Sequence, residues 1–216
     1  MKAFLKKLPA PIPLLCYAAA LLYWLCSGVA MLAGDGVAAA RGRLRYQAVP
    51  LERFELVDLE TDGGILATTS GDPQMLLADL GGQVVRTLRM RVQFSHTPRE
   101  ICLYYTSRPG EPFSREKRVF AARQDDGSYL FDLPAGHIEA LRLDPCSPAA
   151  EQQRIELQDF AVELNVPRPW YHYFGPGWYG AFCYLVWPGL AAAALRCGWD
   201  FWRWARSGWR KIKNKQ

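Results

Sequence analysis

Hydrophobic and polar positions follow two rhythms along this chain. Residues 12–33 read IPLLCYAAALLYWLCSGVAMLA and residues 178–195 read WYGAFCYLVWPGLAAAAL, and neither run contains a charged residue. Between them the pattern shortens to a period of two. In VVRTLRMRVQF, Val85, Leu88, Met90, Val92 and Phe94 punctuate polar and charged residues, as in a strand with one buried face. ICLYYTS, KRVFAAR, SYLFDL, IEALRLD and RIELQDFAVEL continue that rhythm. In the last, Ile155, Leu157, Phe160, Val162 and Leu164 keep one face only if the register shifts by one residue after Gln158, which predicts a β-bulge. Turn residues separate the strands: Asp62-Gly63-Gly64, Ser70-Gly71-Asp72-Pro73, Gly81-Gly82, Arg108-Pro109-Gly110, Asp125-Asp126-Gly127, Pro134-Ala135-Gly136 and Asp144-Pro145. Short strands at ~8–12-residue spacing predict an all-β sandwich over residues 52–164. Residues 75–80 fit either a strand or one helical turn.

The two uncharged runs predict transmembrane α-helices flanking the sandwich. A span needs ~20 apolar residues; the first run has 22 and the second 18. The first exceeds the ~7–15-residue apolar region of a cleaved signal peptide, so a retained anchor is expected, although Val37-Ala38-Ala39-Ala40 offers small residues for cleavage. Pro188 predicts a kink in the second span. Trp170, Tyr171, Tyr173, Phe174, Trp178 and Tyr179 precede that span as an aromatic belt suited to the headgroup level.

Charge then sets the topology. Residues 1–34 carry three lysines and no acid, residues 35–169 carry 16 cations and 20 acids, and residues 170–216 carry seven cations and one acid. The formal net charge of +5 therefore comes from the two ends, which excludes a uniformly basic nucleic-acid binder. Basic flanks stay on the cytoplasmic side. The expected map is a cytoplasmic N-terminus (1–11), a first span (12–34), an extracytoplasmic region (35–169), an aromatic interfacial segment (170–177), a second span (178–196) and a basic aromatic cytoplasmic tail (197–216). In the tail, Trp199, Trp202 and Trp209 interleave with arginines, which predicts a helix lying in the inner membrane surface and drawn to anionic lipid.

Candidate chemistry is sparse. Cys102 and Cys146 are the two cysteines of the central region, a pair available for a disulfide across 43 intervening residues. His96, His137 and His172 are scattered and no metal-type spacing exists, so no metal site and no cofactor are expected. Asp125-Asp126-Gly127 reads as a turn rather than a calcium loop. Asp72 and Asp144 precede prolines and are expected to close turns by accepting backbone N–H bonds. Arg142 and Asp144 share one strand face, as an ion pair or a sugar- or phosphate-contacting pair. Tyr104, Tyr105 and Tyr129 are candidates for stacking on sugar rings, with Tyr104 and Tyr105 on opposite faces of one strand. No Ser-His-Asp order, phosphate loop or HExxH motif appears, so an enzyme is the less favoured reading.

Several segments, taken in order, resemble the jelly-roll-like β-sandwich module of bacterial cell-envelope glycan membrane proteins. They are Gly71-Asp72-Pro73-Gln74 entering a strand, the strand 84–94, Leu103-Tyr104-Tyr105, Phe113-Ser114, Tyr129-Leu130-Phe131-Asp132-Leu133-Pro134, Leu141-Arg142-Leu143-Asp144-Pro145, and a closing strand of the form I-x-L-x-x-F-x-V-x-L. Cys146 departs from the glycine that often follows in such modules. The resemblance implies an inner-membrane accessory protein with a periplasmic glycan-binding sandwich, acting in assembly or modification of surface polysaccharide or lipopolysaccharide beside a multi-span glycosyltransferase. The alternatives are a small envelope glycan-active enzyme and a structural subunit of another membrane complex.

Overall fold

A computed structural model describes residues 11–147 and 154–213, with side chains for 12–147 and 154–206. The chain divides into two compact units, residues 34–168 and the two flanking stretches 1–33 and 169–216.

The central unit is a two-layer antiparallel sandwich. Its strands are β1 (Gln47–Val49), β2 (Glu55–Val57), β3 (Leu59–Asp62), β4 (Ile65–Thr68), β5 (Gln74–Leu77), β6 (Thr87–Phe94), β7 (Cys102–Thr106), β8 (Arg118–Phe120), β9 (Ala122–Arg123), β10 (Tyr129–Asp132), β11 (Ala140–Asp144) and β12 (Glu156–Leu164). One sheet has the order β3-β4-β12-β6-β10-β9, with β1 also paired to β12; the other has the order β2-β5-β11-β7-β8. Residues 75–80 thus begin in a strand rather than a helical turn.

The period-two pattern places the core. Leu88, Met90, Phe131, Leu157, Val162 and Leu164 from one sheet meet Met75, Leu77, Leu103, Leu141 and Leu143 from the other, all nearly inaccessible to solvent. Sealing such side chains from water contributes about 1.5–3 kcal/mol each. β12 breaks register against β6 between Gln158 and Ala161, with Asp159 at φ 52°, so the expected bulge is present. Gly63 and Gly64, at φ 56° and 85°, join β3 to β4; a two-residue hairpin turn of this kind needs positive φ at both positions.

KRVFAAR departs from its single-strand reading. It divides at Ala121 into β8, in the five-stranded sheet, and β9, in the seven-stranded sheet. Val119 turns toward the core, while Phe120 is exposed against the guanidinium of Arg118, 4.4 Å from the ring centroid.

The flanking unit contains most of one long helix, α1 (Pro11–Ala40), whose last residues from 34 on belong to the central unit, and all of a second, α2 (Trp178–Lys213), preceded by a 3-10 turn at Trp170–Phe174. Both are long and apolar enough to cross a membrane. Leu14, Leu15, Leu21, Leu22, Leu185, Trp187 and Leu190 are exposed along them, an arrangement suited to hydrocarbon rather than water. Where α1 meets the 3-10 turn, Gly28 leaves room for the Phe174 ring: a Cβ there would lie 2.6 Å from it. Trp24 packs against Phe174 and Tyr184, with centroids at 6.5 Å. The Tyr17 hydroxyl donates to the Leu185 carbonyl of α2 at 2.9 Å. α2 continues helical through Pro188 and on to Lys213 without a break, so the tail is part of the same helix as the second apolar run.

Candidate functional site

The sandwich has two solvent-facing sheets, and the candidate residues divide between them. Tyr104, Arg142 and Asp144 come together on the outer face of the five-stranded sheet. β11 pairs with β7 so that Arg142 opposes Tyr104 and Asp144 opposes Cys102. Arg142 donates from Nε and Nη2 to the two Asp144 oxygens, both at 2.8 Å, and lies 4.9 Å from the Tyr104 ring centroid. Asp72 is 3.6 Å from Arg142 and accepts from Gln74 Nε2 at 2.7 Å. The two pre-proline carboxylates therefore turn to side chains, where backbone N–H groups were expected. Burial pushes the Asp144 carboxyl up, and the hydrogen bonds and charge of Arg142 only partly offset it. These groups satisfy one another and form a brace across three strands.

Tyr105 points the other way. It packs on the core, with the Lys117 ammonium 5.8 Å from its ring centroid. Cys102 and Cys146 are free thiols, so the disulfide is not formed. The reason is geometric. The Cys102 sulfur contacts Asp144 Oδ2 at 3.8 Å on the outer face, whereas Cys146 belongs to the core on the inner face. Burial raises their pKa values to about 11 and about 12, with the Asp144 charge adding to the rise at Cys102.

Tyr129 lies elsewhere, at a cleft of about 720 Å³ on the seven-stranded sheet. Its ring meets Phe94 edge-on at 5.9 Å, and both rings rest on the core. Arg91 and Gln93 of β6, Arg123 of β9, Asp126 of the β9–β10 turn and Asp159 of the bulge are among the other lining residues. Each is placed by a definite local device. Arg123 pairs directly with Tyr129 across the β9–β10 hairpin. Asp126 accepts from the Ser128 backbone at 3.0 Å and hydroxyl at 2.6 Å, the side-chain turn that its Asp-Asp-Gly sequence predicts. Asp159, in its left-handed conformation, accepts from Gln93 Nε2 at 3.0 Å. Arg91 lies 3.4 Å from Glu163, itself buried and bonded to Arg89 at 2.5 Å and Tyr46 at 2.7 Å. Burial pushes Glu163 up, but the Arg89 and Tyr46 hydrogen bonds with the Arg89 and Arg91 charges carry it below the usual glutamate range.

Sequence reasoning singled out Tyr129 and the Asp125-Asp126-Gly127 turn but missed Arg91, Gln93, Phe94, Arg123 and Asp159 as a group. Period-two spacing gives the face of a strand, not which strands are neighbours. The one available signal was the register slip after Gln158, which re-aims the side chains near Asp159.

Strand register turns the Tyr129 and Phe94 rings toward the core and Arg91 and Gln93 toward the outer face, so the rings reach the cleft only at its edge, beside planar donors and carboxylate acceptors. Asp126 and Asp159 are the two carboxylates of the lining. The Ser128 hydrogen bonds lower the Asp126 pKa.

No protein-family model matches the chain, and no curated protein matches it. Among solved structures, a low-affinity xylan-binding module, CBM86, from Roseburia intestinalis is similar over 56% of this chain and 94% of that one, at 11% identity and a TM-score of 0.38.

The interface candidates fall in the helical unit. Trp170, Tyr171 and Trp178 are exposed around the 3-10 turn and the start of α2. Trp199 and Trp202 are exposed farther along α2, with ring centroids 5.5 Å apart. The Trp209 side chain lies outside the described residues.

Proposed function

We propose that this chain is a two-pass bacterial inner-membrane protein whose jelly-roll-like sandwich faces the periplasm and binds an envelope glycan in the Tyr129 cleft. In this reading α1 and α2 are the spans, both termini are cytoplasmic, and the protein assists assembly or modification of surface polysaccharide or lipopolysaccharide beside a multi-span glycosyltransferase. The observation that carries the binding reading is the cleft itself, with the Tyr129–Phe94 ring pair beside Arg91, Arg123, Gln93, Asp126 and Asp159. The topology is supported by the basic flanks beyond both apolar runs.

The test is binding of the full-length protein, in zwitterionic nanodiscs, to an array of envelope glycans. Tyr129→Ala should weaken binding about fivefold and Arg123→Ala at least tenfold, because stacking on one ring contributes on the order of 1 kcal/mol and a charge-assisted hydrogen bond about 1.5–3 kcal/mol. Arg142→Gln, on the opposite sheet, should leave binding unchanged when the fold is retained. Absence of binding to every glycan, or equal binding by all three variants, defeats the reading. A reporter fused near Ser114 should be active only outside the cytoplasm, and a cytoplasmic signal there defeats the topology.

A further inference from the structure

The packing of α1 against α2 leaves a gap along one side of the pair. Tyr17, Ala20 and Trp24, at i, i+3 and i+7, form one face of α1. Together with Ala181, Tyr184 and Leu185 of α2 they line a groove of about 470 Å³. The lining carries no charged side chain, and the Tyr17 hydroxyl is already bonded to the Leu185 carbonyl. Such a surface is unfavourable in water and unremarkable in hydrocarbon.

Depth decides what can fill it. The uncharged run of α2 begins at Trp178 and ends before Arg196. At ~1.5 Å per residue, Leu185 lies ~10 Å below the first and ~16 Å above the second. The groove therefore occupies one leaflet of a ~30 Å core. Its shallow end is Pro176, beside the 3-10 turn, where Phe174 packs edge-on against Trp24. Trp170 and Tyr171 of that turn are exposed, as rings at the headgroup level are. The deep end is closed. The Tyr17–Leu185 hydrogen bond joins the helices there, a Cβ on Gly189 would lie 3.1 Å from the Tyr17 hydroxyl, and Ala192, one turn further, is buried.

A groove open at the headgroup level and closed within the same leaflet selects its occupant. A spanning helix, from a partner or a second copy, is about 10–12 Å across and needs a seam through the whole core. A lipid tail starts at the headgroups, runs one leaflet deep and ends, as the groove does. We infer that the groove between α1 and α2 binds one acyl tail of a phospholipid from the leaflet beside the 3-10 turn, with the headgroup level with Trp170 and Tyr171. The inference rests on the proposed reading of α1 and α2 as spans, whose topology makes this the periplasmic leaflet. It does not rest on glycan binding.

The full-length protein is reconstituted in phosphatidylcholine vesicles, extracted in mild detergent and washed free of unbound lipid. Retained phosphatidylcholine is then counted by native mass spectrometry. A zwitterionic lipid carries no net charge for the basic end of α2 to attract. Wild-type protein should retain one lipid per chain. Ala20→Phe puts a ring into the groove and should lower retention about tenfold, the effect of taking two methylenes out of apolar contact. Ala181→Leu narrows the groove from the other helix and should lower retention as well. Ala19→Phe, at an exposed position of the same turn, should keep the lipid. Circular dichroism establishes that each variant keeps its helices. No retained lipid in the wild type, full retention by Ala20→Phe and Ala181→Leu, or equal loss from Ala19→Phe and Ala20→Phe overturns the inference. So does a wild-type dimer that Ala20→Phe splits, which assigns the groove to a second copy. Glycan binding is read separately on the array, so a failure here is distinguishable from a failure of that reading.

Discussion

Replacing Asn165 tests what closes the sandwich beside the last strand. Asn165 follows β12, is 8% exposed and sits at φ 54°. Its Oδ1 accepts the Arg86 backbone N–H at 2.8 Å, and its Nδ2 donates to the Val84 carbonyl at 2.8 Å and the Arg45 carbonyl at 3.2 Å. Its own N–H donates to Thr87 at 2.9 Å. One amide thus joins the segment before β1, the segment entering β6 and the exit from β12. Asn165→Ala leaves one N–H and two carbonyls without this partner. A buried orphan group costs about 1–3 kcal/mol. Water and second lone pairs recover some of that, so the three groups together should cost about 2–4 kcal/mol. Asn165→Gly loses the same bonds but keeps the backbone unstrained; alanine should be worse by up to about 1 kcal/mol. Asn165→Asp is the sharper change. It keeps the acceptor and sets a carboxylate against two carbonyl oxygens, so it should destabilise at least as much as alanine. Urea unfolding of the full-length protein in mild detergent, followed by the β-sheet circular dichroism signal, gives the differences. If all three variants fall within about 0.5 kcal/mol of wild type, a range ordinary for unconstrained surface sites, the joining role is wrong. If aspartate is milder than alanine, the donated bonds do not matter.

Other consequences follow from single contacts. Glu163 is held below the usual glutamate range in the folded protein, so its contribution to stability is present above the unfolded pKa and is lost as pH falls through the folded one. The melting-temperature advantage of wild type over Glu163→Gln should therefore be full at neutral pH and shrink below about pH 4; an advantage that grows on acidification contradicts this. With the other four cysteines replaced by serine, Cys102 and Cys146 should resist maleimide at pH 8, since burial holds their pKa values at about 11 and about 12 and thiolate is the reactive form. Both should label once the protein is unfolded, and rapid native labelling refutes their burial. Gly28→Ala puts a Cβ 2.6 Å from Phe174, whereas Gly34→Ala meets nothing within 4 Å. The first should destabilise by about 1–3 kcal/mol, and the second should be neutral or stabilising by up to about 1 kcal/mol through helix propensity; thermal unfolding in detergent that ranks them equally refutes the close approach.

The elements were legible where one local pattern decides them. Uncharged runs gave both long helices, and Asp62-Gly63-Gly64 marked the turn between β3 and β4, where both glycines take positive φ. The slip after Gln158 gave the bulge in β12. The pairing of strands was not legible. β12 has β6 along one edge and shares the other between β4 and β1, and these neighbours lie far apart in sequence, where no residue pattern names a partner. The length of α2 was also hidden. Arg196, Gly198 and Asp200 end the uncharged run, but none of them stops a helix as proline does, so the helix continues while its surroundings change.

The same limit governs the candidate site. Parity along a strand separates Tyr104 from Tyr105 and joins Arg142 to Asp144, and both expectations hold in the sandwich. Parity says nothing about what a shared face does. On the five-stranded sheet, Arg142, Asp144 and Tyr104 meet one another and are consumed in that meeting, because a bidentate ion pair stacked on a ring has few donors left to offer. On the seven-stranded sheet the decisive event is the crossing at Ala121, which moves Arg123 from the strand beside Tyr104 to the hairpin beside Tyr129. That crossing depends on Val119 finding the core of one sheet and Ala122 pairing with Leu130 of the other. It is a tertiary choice between two strand-like solutions of equal local merit. A cleft assembled from a bulge, a turn and a strand that changes sheets has no contiguous signature, so its residues become recognisable as a group only once the sheets are closed.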